Sequence, residues 1–338
     1  MNALPLVITM GDACGIGPEI VAKAFASGQA QGAFVLGDAT VMRRALALTG
    51  QNTALALLEH PGDALDGPPN CVPLLQATGL PPDLAQAQIG QVDARAGAAA
   101  AACIAQAVAL VRAGQARAIV TAPIHKEALA AAGVGHPGHT EMLQALATEP
   151  GQTPPPVRMM LANEELRTVL VTIHMSLRHA IEAVTFDAVL QTLRIADRAA
   201  RSFGLAAPRI AVAGLNPHAG EGGLFGDEEL RIIAPAIAAA QAEGIAASGP
   251  YAPDTVFMRA RNTVAHPGGF DLVVAMTHDH GLIPVKYLGV EQGVNVTLGL
   301  PFARTSPDHG TAFDIAGRGV ADPASLIAAL RMARTLST

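Results

Sequence analysis

Three histidines each follow an apolar run of the kind that forms buried β-strands. The runs cover residues 168–173, 210–213 and 272–276, and the histidines are His174, His218 and His278. Open α/β sheets bind ligands outside the carboxyl ends of their strands, so three histidines delivered there can converge on one ligand. A lone histidine in such a position is more often a hydrogen-bonded loop residue, but three equivalent ones favour a site for a borderline divalent metal such as zinc.

A second set of polar residues has the chemistry of an anion site. It combines the segment Gly138-His139-Thr140-Glu141 with Lys286, Asn295 and Arg304. Lysine offers a point charge and arginine a planar fork, both suited to phosphate or carboxylate, while Thr140 and Asn295 can orient oxygen atoms. Lys286 lies within the apolar stretch 282–302 and Arg304 follows it, so we expect both charges to be buried or in a cleft, where an anionic substrate would pair with them.

Two neighbouring features extend these sets. The glycine-rich segment 9–19, TMGDACGIGPE, joins a predicted strand to a predicted helix. Glycine-rich turns in this position can bring backbone N–H groups close to an anion or a cofactor. Its spacing is not G-x-G-x-x-G, and a tight βα turn that uses glycine for positive φ is the alternative interpretation. Asp279 directly follows His278 and is a candidate to orient its imidazole.

The elements that must position these residues alternate between strand and helix. Further strands are predicted at 6–10, 33–36 and 118–121, and helices from Pro18 and at 94–113, 186–200, 227–242 and 323–333. This alternation predicts an α/β fold with a largely parallel sheet flanked by helices. The 338 residues are enough for two domains.

Composition excludes several classes of protein. Half of the residues are hydrophobic, which predicts a compact body, and the formal charge of −6 argues against nucleic-acid binding. The alanine-rich stretch 98–111 is expected to be too short and too weakly apolar to span a membrane. The three cysteines form no C-x-x-C pair and the N-terminus resembles no export signal, so we expect a protein of the cytoplasm.

Several longer motifs carry a resemblance to a known family. They are GDACGIGPEI, IVTAPIHKEAL, GHPGHTEML, VTIHMSLRHA, GLNPHAGEGGLFGDEE, GPYAPDTVF and MTHDHGLIPVKYLGVEQGVNVTLGLPFARTSPDHGTAFDIAGRG. In order and density these motifs resemble the 4-hydroxythreonine-4-phosphate dehydrogenase family nearly from end to end. The opening GDxxGIGPE and the closing HGTAFDIAG also resemble the isocitrate and isopropylmalate dehydrogenase superfamily, in which the late loop contacts the nicotinamide cofactor.

The resemblance implies a homodimer of subunits with two α/β/α domains of the isocitrate/isopropylmalate dehydrogenase-like type and an interdomain active-site cleft. Residues 1–125 and 305–338 would form the first domain, and 126–304 the second, with the metal and substrate residues and the dimer interface. Family roles carry over as follows: metal ligands His174, His218 and His278; substrate contacts His139, Thr140, Lys286, Asn295 and Arg304; cofactor contacts His309, Gly310 and Thr311.

The implied reaction is oxidation of the C3 hydroxyl of 4-phosphooxy-L-threonine by NAD or NADP, with a divalent metal (Zn, Co, Mg or Mn). The β-keto acid would lose CO₂ to give 3-amino-2-oxopropyl phosphate, which feeds pyridoxal phosphate synthesis in this family. Asp279 and Lys286 are candidates by position for the proton acceptor, and the sequence does not choose between them. No nucleic acid and no membrane is expected as a partner.

Two departures from the family pattern bear on the substrate. Ala13 and Cys14 replace the usual Pro and Ala, and Thr277 and His280 stand in a loop that more often reads Y-H-D-Q-G. Related enzymes act on 4-phospho-D-threonate, 4-phospho-D-erythronate or aromatic cis-dihydrodiol carboxylates, and the retained phosphate-site residues favour a phosphorylated acid. A metal-dependent hydrolase would leave the loop 309–317 unexplained, and the metal set argues against a noncatalytic binding protein.

Overall fold

The structure is a computed structural model that describes residues 4–68, 70–136 and 138–337. Its strands are β1 (Leu6–Thr9), β2 (Ala33–Gly37), β3 (Ala54–Leu57), β4 (Cys71–Gln76), β5 (Ala118–Thr121), β6 (Arg158–Ala162), β7 (Arg167–Leu170), β8 (Ile210–Ala213), β9 (Ala247–Tyr251), β10 (Leu272–Ala275), β11 (Val294–Leu298) and β12 (Ala303–Pro307). Its α-helices are α1 (Gly17–Ala26), α2 (Ala39–Leu48), α3 (Ala94–Arg112), α4 (Lys126–Ala131), α5 (His139–Ala147), α6 (Leu177–Ala183), α7 (Phe186–Ser202), α8 (Ala234–Ala242), α9 (Val256–Ala260), α10 (His278–Tyr287) and α11 (Ala324–Leu336). The α/β class predicted from the sequence is confirmed.

The described chain divides into two compact units. One contains the residues up to Pro155 together with Leu300–Ser337, and the other contains Pro156–Gly299. These boundaries differ from those predicted, because α4 and α5 pack against α3 and so keep the segment 126–155 in the first unit. His139, Thr140 and Arg304, which were expected in the second domain, therefore belong to the first unit.

The first unit is built on a fully parallel arrangement of strands in the order β3-β4-β2-β1-β5-β12. Strands β1, β2 and β5 are buried along their whole length, so their sequences are apolar rather than alternating. Strands β2, β4 and β3 lie on one side of β1, with β3 at the edge, and α3 then leads back to β5 on the other side of β1. The carboxyl ends of β1 and β5 therefore flank a topological switch point, the usual place for a ligand.

Helix α3 is the core helix of the first unit. Among the described helices it is the one long and apolar enough, by length and composition alone, to cross a membrane, so the argument from the shorter stretch 98–111 does not hold for the helix as a whole. It packs instead against β1, β2, β5 and α4. At Gly97 the carbonyl oxygen of Ala128 occupies the place that a Cβ atom would take, so α3 and α4 approach closely because this residue is glycine.

The second unit has the strand order β11-β6-β7-β10-β8-β9. Strands β7, β10 and β8 are parallel, as predicted, and β9, which was not predicted, is parallel to β8, whereas β6 runs antiparallel to both β7 and β11. Apolar side chains of β6, β7, β8 and β10 form a core cluster with α9 and α10. The predicted helix over 227–242 begins instead with a π-type turn at Glu229–Ile233, and the regular helix α8 follows it.

Candidate functional site

The three predicted metal histidines lie at one edge of the second unit's sheet. Strand β10 pairs in parallel with β7 on one side and with β8 on the other. His174, His218 and His278 follow the carboxyl ends of β7, β8 and β10, which end at the same edge. The register and direction of these strands thus place the three histidines at the same carboxyl edge of the sheet, as the metal hypothesis requires.

His174 and His278 are neighbours in space. Their ring centroids are 5.5 Å apart and the rings are tilted by 48°. Hydrogen bonds tie the two loops together, since Thr172 donates to the carbonyl oxygen of Met276 from its backbone nitrogen (3.2 Å) and from its hydroxyl (2.8 Å). The two histidines line a cavity of about 440 Å³.

Asp279 fixes the tautomer of His278. The Nδ1–H group of His278 donates to the Asp279 carboxylate over 2.8 Å, which leaves Nε2 with its lone pair. An imidazole oriented in this way by a carboxylate is the usual form of a metal-ligating histidine. The structure thus places Asp279 in the orienting position suggested by the sequence.

His218 lies on a strained turn. Its φ is 51°, and Ala219 and Glu221 have φ values of 53° and 44°, in the left-handed region that non-glycine residues rarely occupy. His174 also has a positive φ, of 32°. Such backbone strain concentrates at functional sites, so its occurrence at two of the three predicted ligands supports a functional role.

The three histidines supply the donor chemistry and the strand-end positions of a divalent-metal site. Within residues 4–68, 70–136 and 138–337, no three His, Cys, Asp or Glu side chains are arranged to hold a metal ion. The structure brings His174 and His278 together, whereas the ring of His218 lies 6.2 Å from that of Phe225, centroid to centroid. The three-histidine metal site therefore stays a prediction.

A buried cation and a neutral imidazole form a separate cluster in the first unit. Arg304 on β12 is 3% exposed and donates from Nε (3.2 Å) and Nη2 (2.6 Å) to the hydroxyl of Thr121, the last residue of β5. Burial lowers the pKa of Arg304 to about 10, so the guanidinium remains charged at neutral pH. Burial, and then the charge of Arg304, holds the pKa of His139 well below its usual range.

His139 begins helix α5, and no side chain caps that helix end. Its Nε2 atom is buried and has no hydrogen-bond partner among the described residues. A neutral imidazole, a guanidinium and a helix N-terminus are all groups that favour an anion. The cluster of Arg304, Thr121 and His139 is hereafter called the arginine cluster.

The remaining predicted substrate residues are placed differently. Thr140 follows His139 in α5, but Asn295 lies half-buried on β11 and Lys286 lies on α10, both in the second unit. Lys286 was expected to be buried or in a cleft, and the structure places its side chain at an exposed position, so burial is excluded and the cleft position stays a prediction. The apolar stretch that contains it runs from the end of α10 through a turn into β11, and one side of α10 is exposed, so its apolar character did not indicate burial at every position.

The predicted cofactor loop packs against the glycine-rich turn. The carbonyl oxygen of Thr311 accepts a hydrogen bond from the backbone nitrogen of Ile16 over 3.0 Å, and Thr311 also fills the space that a Cβ atom on Gly15 would need. His309 donates from Nδ1 to the carbonyl oxygen of Gly310 over 3.0 Å, and its buried Nε2 has no partner among the described residues. Gly310 itself is exposed.

The backbone N–H groups of the glycine-rich turn donate hydrogen bonds within the protein. The backbone nitrogen of Cys14 donates to the Asp12 carboxylate (2.8 Å), and that of Gly15 donates to the Asp12 carbonyl oxygen (3.1 Å). Together with the Ile16 bond, this supports the tight-turn interpretation over an anion cradle. Asp12 is 1% exposed, and burial raises the pKa of its carboxyl to about 6.

Sequence reasoning missed three residues that support these sites. Thr121 binds Arg304, His125 stacks on Phe313 with ring centroids 4.6 Å apart, and Glu229 is buried beside the His218 turn. Thr121 and Glu229 are polar residues inside elements predicted from apolar pattern, and their roles depend on long-range contacts that no local spacing encodes. His125 stands after β5 and could have been found by the same strand-end criterion as the metal histidines.

Comparison with known proteins gives consistent results. The family profile described as "Pyridoxal phosphate biosynthetic protein PdxA" matches residues 29–333. A 4-hydroxythreonine-4-phosphate dehydrogenase of Beijerinckia indica is 55% identical over 98% of this chain and 95% of its own length. A D-threonate 4-phosphate dehydrogenase of Pectobacterium atrosepticum is 44% identical over 98% of this chain and 99% of its own. The crystal structure of a 4-hydroxythreonine-4-phosphate dehydrogenase from Klebsiella pneumoniae superposes with a TM-score of 0.89 at 43% identity, covering 99% of this chain and 100% of that one.

Fold and relatives together define an α/β oxidoreductase of the dehydrogenase class. The chain belongs to the 4-hydroxythreonine-4-phosphate dehydrogenase family, the family of the PdxA profile. The resemblance inferred from the motifs is confirmed.

Proposed function

We propose that the protein is a divalent-metal-dependent dehydrogenase that uses NAD, or NADP, to oxidise a 4-phosphorylated 3-hydroxy acid. The leading substrate is 4-phosphooxy-L-threonine, which would yield 3-amino-2-oxopropyl phosphate and CO₂. The arginine cluster carries the proposal, because a buried guanidinium beside a neutral imidazole suits a phosphate group. The names of the relatives support the same substrate class.

Different residues of the chain would bind the phosphate, the other polar groups of the substrate and the cofactor. Arg304 would neutralise the phosphate charge, and His139, which is neutral at physiological pH, would hydrogen-bond a phosphate oxygen, with Thr140 beside it. Lys286 and Asn295 would bind the other polar groups of the substrate. The loop of His309, Gly310 and Thr311 would contact the nicotinamide cofactor, which accepts the hydride from C3.

His174, His218 and His278 would hold the divalent metal, which when bound supplies Lewis acidity at the substrate's hydroxyl and neighbouring polar group. The hydrogen bond from His278 to Asp279 supports this assignment, since it directs the Nε2 lone pair away from the carboxylate. Asp279 is committed to that bond in the structure, so of the two candidates for the proton acceptor it would first have to release His278.

We also propose that the protein acts as a homodimer in the cytoplasm. Large exposed apolar side chains are concentrated in the second unit, where Leu177, Leu224, Met258, Ile283 and Tyr287 are each more than half exposed. Its three cysteines are buried free thiols, which fits a reducing compartment.

The second candidate is a dehydrogenase of 4-phospho-D-threonate or 4-phospho-D-erythronate. The 44% identical D-threonate 4-phosphate dehydrogenase supports it. Both candidates share the phosphate and differ in the group at C2.

The test supplies NAD or NADP and follows formation of NADH or NADPH with 4-phosphooxy-L-threonine, 4-phospho-D-threonate and 4-phospho-D-erythronate, before and after chelation of metal. We expect at least one substrate to be oxidised, with activity lost on chelation and restored by metal. Unphosphorylated 4-hydroxy-L-threonine is the matched control and should not be turned over. Absence of both NADH and NADPH with all three phosphorylated acids would exclude the proposal, and unchanged activity of a metal-stripped His218→Ala variant would exclude the metal.

A further inference from the structure

The turn that carries His218 is unusual in its backbone. Five successive residues, from His218 to Gly222, have φ values between 44° and 77°, and three of them are not glycine. L-residues adopt this left-handed conformation only when surrounding contacts impose it. Something outside the turn must therefore hold it.

Glu229 makes those contacts. Its side chain is 2% exposed, and Oε1 accepts hydrogen bonds from the backbone nitrogens of Leu215 (2.7 Å) and Asn216 (2.8 Å). Its Oε2 atom accepts from Nδ2 of Asn216 over 2.9 Å. The segment that leaves β8 is thus fastened to one carboxylate immediately before the turn begins at Pro217.

The turn also closes around that carboxylate. A Cβ atom on Gly214 would lie 3.0 Å from Oε1, and one on Gly220 would lie 2.8 Å from Oε2. Within the described part of the chain, Glu229 has no ion pair, so a buried carboxylate is matched by N–H donors alone. Glu229 also opens the π-type turn before α8, a helical irregularity that is frequent at functional sites.

We infer that Glu229 is a positioning residue, which holds the left-handed turn so that His218 is presented at the carboxyl edge of the sheet. The inference rests on the proposed metal role of His218 and adds a residue that never contacts the metal or the substrate. Supporting groups of this kind usually change metal affinity by about 10- to 100-fold when they are replaced.

The test compares Glu229→Gln with Glu228→Gln in the full-length, metal-stripped protein. Glutamine at 229 keeps one acceptor for the two backbone N–H groups but turns the second oxygen into a donor that faces the Asn216 amide. Glu228 is the matched control, because its Oε2 accepts only from the same Asn216 amide, over 2.7 Å, and its side chain is half-exposed. Two quantities are measured: the Kd for Co²⁺ by calorimetry, and hydrogen exchange of the backbone amides of residues 214–223.

For Glu229→Gln we expect Co²⁺ to bind at least about tenfold more weakly and the turn to exchange faster, with Glu228→Gln within about twofold of the wild type in both. If Glu229→Gln does not fold, Gly220→Ala crowds the same carboxylate from the turn side and should give the same two changes.

Unchanged Co²⁺ affinity alongside faster exchange would overturn the inference, because the turn's order would then have no bearing on the ligand. Unchanged exchange would overturn it directly. A wild-type protein that binds no Co²⁺ would instead remove the metal from the proposed function, and the exchange comparison would still decide whether Glu229 fixes the turn.

Discussion

Burial decides how the titratable side chains of the first unit behave near neutral pH. It lowers the pKa of His139 well below the usual range for histidine and that of Arg304 to about 10, and it raises the pKa of Asp12 to about 6. The arginine cluster therefore keeps one cation and one neutral imidazole across the physiological range. Of these three groups, Asp12 is the one whose charge changes closest to neutral pH.

Asp12 gives a prediction about stability and pH. Because its folded-state pKa is raised from 3.8 to about 6, the folded protein binds this proton more tightly than the unfolded chain does. Its contribution to stability is complete below about pH 4 and is lost as the pH rises through 6. Relative to Asp12→Asn, which still accepts the Cys14 hydrogen bond, the wild type should lose up to about 3 kcal/mol of unfolding free energy between about pH 4 and pH 7.5.

Urea unfolding of both proteins at the two pH values measures this difference. A gap between wild type and variant that does not change with pH would show that Asp12 titrates as an ordinary exposed carboxyl.

Residue types predicted the positions of the candidate site residues better than they predicted what surrounds them. The strand-end positions of His174, His218 and His278 follow from three apolar runs, and the burial of Arg304 follows from the apolar segment before it. The same reasoning did not foresee that Lys286 is exposed, because one side of α10 is exposed and the apolar average of the stretch conceals it. Glu229 and Thr121 could not be predicted, since their partners lie 13 or more positions away in the chain.

At the scale of elements, buried parallel strands were the most predictable feature. Strands β5 and β8 match their predicted limits, and β1, β2, β7 and β10 differ by one to three residues. Direction was not predictable, because runs of four or five apolar residues do not encode whether β6 lies parallel or antiparallel to β7. The helix predicted over 227–242 has the right extent, but its first turn is distorted where Glu229 is fastened to the loop after β8.

Close packing of α3 on α4 gives a prediction at this scale. Replacing Gly97 by alanine raises helix propensity by up to about 1 kcal/mol, but the new Cβ would overlap the Ala128 carbonyl group, which is backbone and cannot rotate away. We expect the overlap to dominate and Gly97→Ala to lower the unfolding free energy by about 1–3 kcal/mol. Gly62→Ala is the control, because no atom lies within 4 Å of a Cβ built there, and it should be nearly neutral. A stabilised Gly97→Ala protein would mean that the two helices can separate at little cost.

At the scale of the whole molecule, exposed apolar surface is distributed unevenly. On α10, Ile283 is 63% exposed and Tyr287 is 89% exposed, and the two lie four residues apart on one helix face. In the first unit Leu57 on β3 is 58% exposed but is not part of such a stripe. An isolated exposed leucine needs no explanation, whereas a contiguous apolar helix face favours contact with another protein surface.

We therefore expect the α10 face to be covered in the proposed homodimer. Light scattering of the wild type should give about twice the chain mass of 34.5 kDa. The double variant Ile283→Glu with Tyr287→Glu should shift it towards one chain, because two carboxylates buried without partners cost several kcal/mol. Leu57→Glu introduces one such carboxylate at an exposed apolar position of the first unit and should leave the mass unchanged. A dimer that survives both substitutions on α10 would assign the interface to the other exposed apolar groups of the second unit, on α6 and in the segment 224–230, whereas a monomeric wild type would exclude the dimer itself.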